Sequence, residues 1–355
     1  MTPRERVYAA LRGERVDRIP FTVYGGLLPR SETERLLRNE GLCLVDRIPV
    51  FSCHNPTVEF ERREFWCDGR LWVRQSYWTP VGEVTELLRT GGGYGTSLRQ
   101  EFLIKRPPDY DVLRYIVAHE VYTPAYDEFL AHQAMVGDDI AVIGNLGYSP
   151  FQQILIMWAG PERMAIDMME CPGEVHALYD ILTDRHREQY ELAANSPAEF
   201  FIYGDNVTAE MVGVPRFERY IAPRYNEFAE VLHAKGKRLG SHLDGKMGAL
   251  ADAVNRTGLD FIEAFSAAPD GDLELSAARR AWSEKVIWTN FPSPLHLAPS
   301  TEIEAYCQQM LRDVAPGDRL LVGVTENIPE GSWQRSLPVV SGILAREGRL
   351  PLAGC

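Results

Sequence analysis

No apolar run in the sequence approaches the roughly 18 residues that a membrane-spanning helix requires. The first stretch, MTPRERVYAALRGERVDRIP, lacks the apolar h-region of a secretory signal. A cytoplasmic protein without membrane contact is therefore expected. Cysteine is sparse, with Cys43, Cys53, Cys67, Cys171, Cys307 and Cys355 scattered and no CxxC pair among them. That spacing argues against a disulfide framework and for free thiols of a reducing compartment. Positive charge is in deficit: Lys+Arg number 37 against 50 Asp+Glu, a formal net charge of −13. No Lys/Arg run exceeds two residues, so nucleic acid is not an expected partner. Nucleotide and serine-hydrolase signatures are missing too. GGGYG at 91–95 precedes no helical pattern, so it fits neither a P-loop nor a dinucleotide fingerprint, and no GxSxG elbow occurs.

What is present is an ordinary globular mix, 45% hydrophobic and 25% charged, which excludes wholesale disorder. Thr2-Pro3-Arg4-Glu5 reads as a capping box that opens a short leading helix. Eight short apolar runs follow: 19–24, 45–53, 140–144, 200–203, 238–241, 261–265, 286–289 and 320–325. Most are nearly continuous, the mark of strands buried on both faces of a parallel sheet. Helical patterns separate the later ones: 172–195, 224–235, 246–255, 301–312 behind a Thr301–Glu304 capping box, and 332–347. Strand and helix in alternation predict a (β/α)8 TIM barrel, an α/β fold. The segment from about 55 to 135 breaks the rhythm. Its alternating runs around Thr79-Pro80-Val81-Gly82 predict a β-hairpin inserted after strand two. Residues 1–355 thus read as one barrel domain carrying an insertion, with Trp66, Trp72, Tyr77 and Trp78 concentrated there.

In such barrels the C-terminal strand ends form the active-site face. Tyr24, His54, Asn145, Asp205, Asn206, His242, Asp244, Glu263, Asn290 and Glu326 fall at or near those ends. Each has a plainer reading: Asn145, Asn206 and Asn290 suit turns, His54 lies in a loop signal, and Asp244 could cap a helix starting near Lys246. Glu263 is more informative, because a carboxylate inside an apolar run needs a partner. His242 and Asp244 at i and i+2 on a strand end face the same side, and Glu326 could converge from across the mouth. One imidazole and two carboxylates suit zinc with an open position, or ferrous iron or manganese, or else an acid/base cluster without metal.

The sequence resembles the uroporphyrinogen decarboxylase superfamily over nearly its whole length. The resemblance rests on TPRERVYAALRGERVDRIPF (2–21), TPVGEVTEL (79–87), FIYGDN (201–206), GSHLDG (240–245), the strand before Asn290, and VTENIP (324–329). It implies a (β/α)8 barrel. The porphyrin branch carries an arginine-rich motif, RQAGRY, after the first strand; here YGGLLPR (24–30) keeps only Arg30. The methyltransferase branch binds zinc through His-x-Cys and a later Cys. His242 matches that His, while Asp244 and Glu326 stand where the thiolates would be. The resemblance therefore implies a methyltransferase that moves a methyl group from a small methoxylated or methylated substrate to a corrinoid held by a partner protein. Asp205, His242 and Glu263 would be catalytic, Tyr24, His54, Asn145, Asn206 and Asn290 would bind substrate, and His242, Asp244 and Glu326 would hold metal. A decarboxylase of a carboxylated substrate and a non-catalytic corrinoid- or tetrapyrrole-binding barrel are the alternatives. A homodimer is left open.

Overall fold

The computed structural model describes residues 1–91 and 97–352. Gly92 to Gly95 of the glycine-rich stretch, and Cys355, lie outside the described residues. The chain forms two compact units. One comprises Met1–Pro49, Tyr126–Gly147 and Pro197–Cys355; the other comprises Val50–Ala125 and Tyr148–Ser196.

The first unit contains eight parallel strands closed into a barrel. They are β1 (Phe21–Tyr24), β2 (Cys43–Pro49), β3 (Ile140–Asn145), β4 (Phe200–Tyr203), β5 (Arg238–His242), β6 (Phe261–Phe265), β7 (Val286–Asn290) and β8 (Leu320–Val324). Each pairs with its neighbours in this order, and β8 closes onto β1. This is the (β/α)8 architecture expected from the apolar runs. Side chains alternate along each strand, so every second residue faces the barrel axis. Val45, Ile143, Ile202, Phe261 and Trp288 meet there in one apolar cluster. The leading helix, Pro3–Leu11, adds Val7, Ala10 and Leu11 to the same cluster. Its capping box is formed: Thr2 Oγ1 accepts from the Glu5 amide at 3.2 Å, and Glu5 Oε2 accepts from the Thr2 amide at 2.8 Å. Full burial of a large apolar side chain in this cluster contributes about 1.5–3 kcal/mol.

Two local expectations are corrected. The second strand does not run on to Cys53. It ends at Pro49, whose missing N–H cannot extend a ladder. Phe51–His54 instead pairs antiparallel with Val121–Pro124 in the second unit. The Thr301–Glu304 capping box is not formed either. That helix begins a residue earlier, at Ser300 behind Pro299, with no side-chain cap, which leaves Thr301 inside the first turn.

Beyond the expected hairpin, the second unit holds a four-stranded antiparallel sheet in the order Glu59–Cys67, Arg70–Thr79, Gly82–Thr90 and Ser97–Glu101. Its long helix, Pro172–Asn195, buries His186 to 5% exposure, and the ring Nδ1 finds no hydrogen-bond partner. Burial pushes this imidazole down to about 3. The folded state therefore refuses a proton that the unfolded chain takes up below about 6.5. The corresponding stability is complete above that pH and is lost as pH falls towards 3, by up to about 1.4 kcal/mol per pH unit. Urea unfolding at pH 7 and pH 4.5 checks this: His186→Leu should flatten the acid loss, and an unchanged slope would contradict it.

Candidate active site and metal centre

At the C-terminal ends of the strands the inward positions turn polar. His242 ends β5 and Glu263 lies beside it on β6, where the two are register partners. Glu263 is fully buried. Its Oε2 lies 2.7 Å from His242 Nδ1, and its Oε1 accepts the Tyr24 hydroxyl at 2.5 Å. Tyr24 is the last residue of β1. The strand is irregular here: the register of β6 against β7 shifts between Ile262 and Phe265, and Ala264 sits at φ 61°. A left-handed alanine costs about 1–2 kcal/mol, and this bulge lies immediately beside the carboxylate that holds His242.

Burial alone would push the Glu263 carboxyl up. The charge and hydrogen bond of His242, the charge of Arg47 and the Tyr24 hydroxyl outweigh it and hold the group below its ordinary value. For His242 burial works against the charged form, but the neighbouring Glu263 and Asp244 carboxylates prevail and raise it. Burial, and then the Glu263 charge, push the Tyr24 phenol well above its usual value, so the phenol stays a donor.

With Nδ1 engaged by Glu263, the other ring nitrogen faces two carboxylates. His242 Nε2 lies 3.8 Å from Asp244 Oδ2 and 3.7 Å from Glu326 Oε1. One donor atom from each residue lies within 4.8 Å of the others. Asp244 Oδ1 is buried and has no hydrogen-bond partner. Asp244 does not cap the following helical turn, which starts behind Met247 without a side-chain cap. An acceptor buried without a partner is costly unless something binds it. Glu326 follows β8 with its side chain about half exposed, and burial with nearby carboxylates raises its pKa. The donor set therefore fits a divalent ion bound by nitrogen and oxygen. Glu263 stands where it would orient that imidazole for ligation.

The other expected residues separate. Asn290 ends β7 and its Oδ1 accepts from the Thr325 amide at 3.0 Å, which anchors the chain just before Glu326. Asn145 Oδ1 accepts from the Gly147 amide at 3.3 Å, a local turn contact. Asn206 is exposed. Asp205 is fully buried and accepts the Tyr225 hydroxyl at 2.7 Å; that hydroxyl also lies 2.8 Å from Ser241 Oγ. Ser241 alternates with His242 and so faces away from the axis, towards the helix Ala222–His233 that carries Tyr225. Asp205 is thus tied through Tyr225 to the outer layer of the barrel. His54 is exposed and belongs to the second unit, because β2 stops before it.

Arg47 joins the site without having been expected there. It is the next inward residue of β2 after Cys43 and Val45, and its guanidinium carbon lies 4.4 Å from the centre of the Tyr24 ring. The period-2 alternation of CLVDRIP contains the signal. Counted from Cys43 or from Val45, Arg47 falls on the same face, and only the closed barrel shows that this face is the inner one.

The match to known proteins agrees with the fold. A family model described as uroporphyrinogen decarboxylase (URO-D) matches residues 119–329, more than half of the chain. The chain belongs to the URO-D family. Among solved structures, a methyltransferase from Methanosarcina mazei is similar over 98% of this chain and 99% of that one, with a TM-score of 0.57 and 13% identity. At that identity the likeness is one of fold. The pneumococcal virulence factor StrH, studied for N-glycan recognition and hydrolysis, aligns with a TM-score of 0.37 and 10% identity over 96% of this chain and 86% of that chain, too low to carry an argument. No curated protein matches. In this URO-D protein Arg30, the lone arginine of YGGLLPR, pairs with Glu34 at 2.6 Å on the helix Glu32–Asn39. Among the described residues no helix is long and apolar enough to cross a membrane.

Proposed function

We propose that this URO-D family member is a methyltransferase that takes a methyl group from a small methoxylated or methylated substrate and passes it to a corrinoid carried by a partner protein. His242, Asp244 and Glu326 would hold a divalent metal, zinc in first place. The observation that carries this reading is the double engagement of His242, with Nδ1 on Glu263 and Nε2 towards two carboxylates. Membership of the family and the barrel shared with a methyltransferase support it.

When bound, the metal would supply Lewis acidity at the substrate heteroatom, and oxygen donors in place of thiolates favour that use. The chain's own residues do the rest. Glu263 fixes the imidazole tautomer and leaves Nε2 free for ligation. Tyr24 fills the second lone-pair position of Glu263 and keeps that carboxylate from turning towards the mouth. Asn290 anchors the backbone that carries Glu326. In the reaction the methyl group leaves as a formal cation, and the heteroatom keeps the bonding pair and takes a proton.

The test uses the purified protein. Elemental analysis should find about one zinc, iron or manganese ion per chain. A panel of methoxylated and methylated small molecules, with free reduced cobalamin as acceptor, should give a methylated product followed by its absorbance. Background metal together with a fully active His242→Ala variant would overturn the metal role. Release of carbon dioxide from uroporphyrinogen at a useful rate would overturn methyl transfer in favour of decarboxylation.

A further inference from the structure

Arg47 is a half-buried cation on the inner side of the barrel, at the level where the strand ends turn polar. One face of its guanidinium is covered by the Tyr24 ring, which is itself held by the buried Glu263. Among the described residues no carboxylate lies within ion-pair distance of it, and no hydrogen-bond acceptor is engaged. Exposed arginines such as Arg15 and Arg216 share that lack, but Arg47 lies on an inward position of a barrel strand. Arg30 and Arg38 both pair with Glu34, Arg6 pairs with Asp17, and Arg12 pairs with Glu199. Gly204 comes close to the guanidinium without a side chain to cover it: a Cβ there would stand 4.0 Å from a guanidinium nitrogen. An arginine clamped on one face by a ring presents its edge N–H groups in a fixed fork, the geometry that matches a carboxylate.

We propose that Arg47 anchors a carboxylate of the substrate. The substrate class is then a small carboxylic acid that bears its methylated group apart from the acid function. The acid end lies against Arg47 and Tyr24, and the methylated end is directed to His242, Asp244 and Glu326. The assignment of the two ends rests on the methyl-transfer reading; binding of the carboxylate does not.

Calorimetric titration of the purified protein with acetate, methoxyacetate, benzoate and 3-methoxybenzoate, each against its neutral amide, tests this. At least one acid should bind about tenfold or more tighter than its amide, as expected for charge-assisted hydrogen bonds. Arg47→Met should erase that preference, and Arg47→Lys should restore part of it. Metal content and melting temperature are measured alongside. Equal binding of acids and amides, or no acid bound, would overturn the proposal. So would an Arg47→Met protein that keeps the preference and loses only metal or stability, since Arg47 would then merely balance the charge of Glu263 and Glu326. Retained acid preference in a protein that transfers no methyl group would leave the anchor standing and remove the methyl-transfer reading alone.

Discussion

Replacing His242 by alanine is expected to reduce bound metal to background and to abolish turnover. The imidazole is the only nitrogen donor in the cluster, and its Nε2 lies 3.8 Å and 3.7 Å from the two carboxylates that complete it. The substitution also removes a partner of the fully buried Glu263, so some loss of stability accompanies it. Asp244→Asn separates the two effects. Asp244 Oδ1 has no hydrogen-bond partner, so the amide should cost little in folding while weakening metal retention. Glu263→Gln forms the graded member of the series. It keeps the shape, removes the buried charge and alters the bond that orients His242, for which a loss of about 10- to 100-fold in metal affinity or turnover is expected. Elemental analysis, circular dichroism and turnover on the three variants make the check. Full metal content in the His242→Ala protein would refute the assignment.

Trp288→Ala is expected to cost about 3–5 kcal/mol of stability. Trp288 is 1% exposed, at the middle of β7, and packs in the apolar cluster between the strands and the leading helix. Its Nε1 donates to Thr22 Oγ1 at 2.9 Å. Opposite it stands Gly323 on β8, where an added Cβ would meet that nitrogen at 2.4 Å. The indole has thus taken the space of a neighbouring side chain, and truncation leaves a void that three strands cannot close. Urea unfolding should show a lower midpoint with an unchanged slope. Trp288→Phe should cost less, because the ring volume is largely kept. A loss below about 1 kcal/mol for the alanine variant would mean the barrel interior repacks far more easily than its density implies.

Much of the fold is legible in the order of the residues. Seven of the eight barrel strands lie close to their apolar runs, because a strand buried on both faces must be apolar nearly throughout. The second strand is the exception, because its run mixes Asp46, Arg47 and Pro49 into apolar residues. The pattern alone therefore carries that strand on towards His54. Glu263 is legible by its cost: a carboxylate in FIEAF demands a partner, and the fold supplies two. Asp205 shows the limit of the pattern, because a position at a strand end does not fix a direction; its carboxylate accepts the Tyr225 hydroxyl of the outer layer.

Burial dictates composition, and composition can be read residue by residue. The class of fold and the chemical types at the barrel mouth therefore follow from the order of amino acids alone. Which of those groups meet is set in three dimensions. Inward and outward positions differ by one residue, so register and closure settle that Glu263 and Arg47 face the axis. Convergence of His242, Asp244 and Glu326, drawn from strands far apart in the chain, exists only once the sheet has closed on itself.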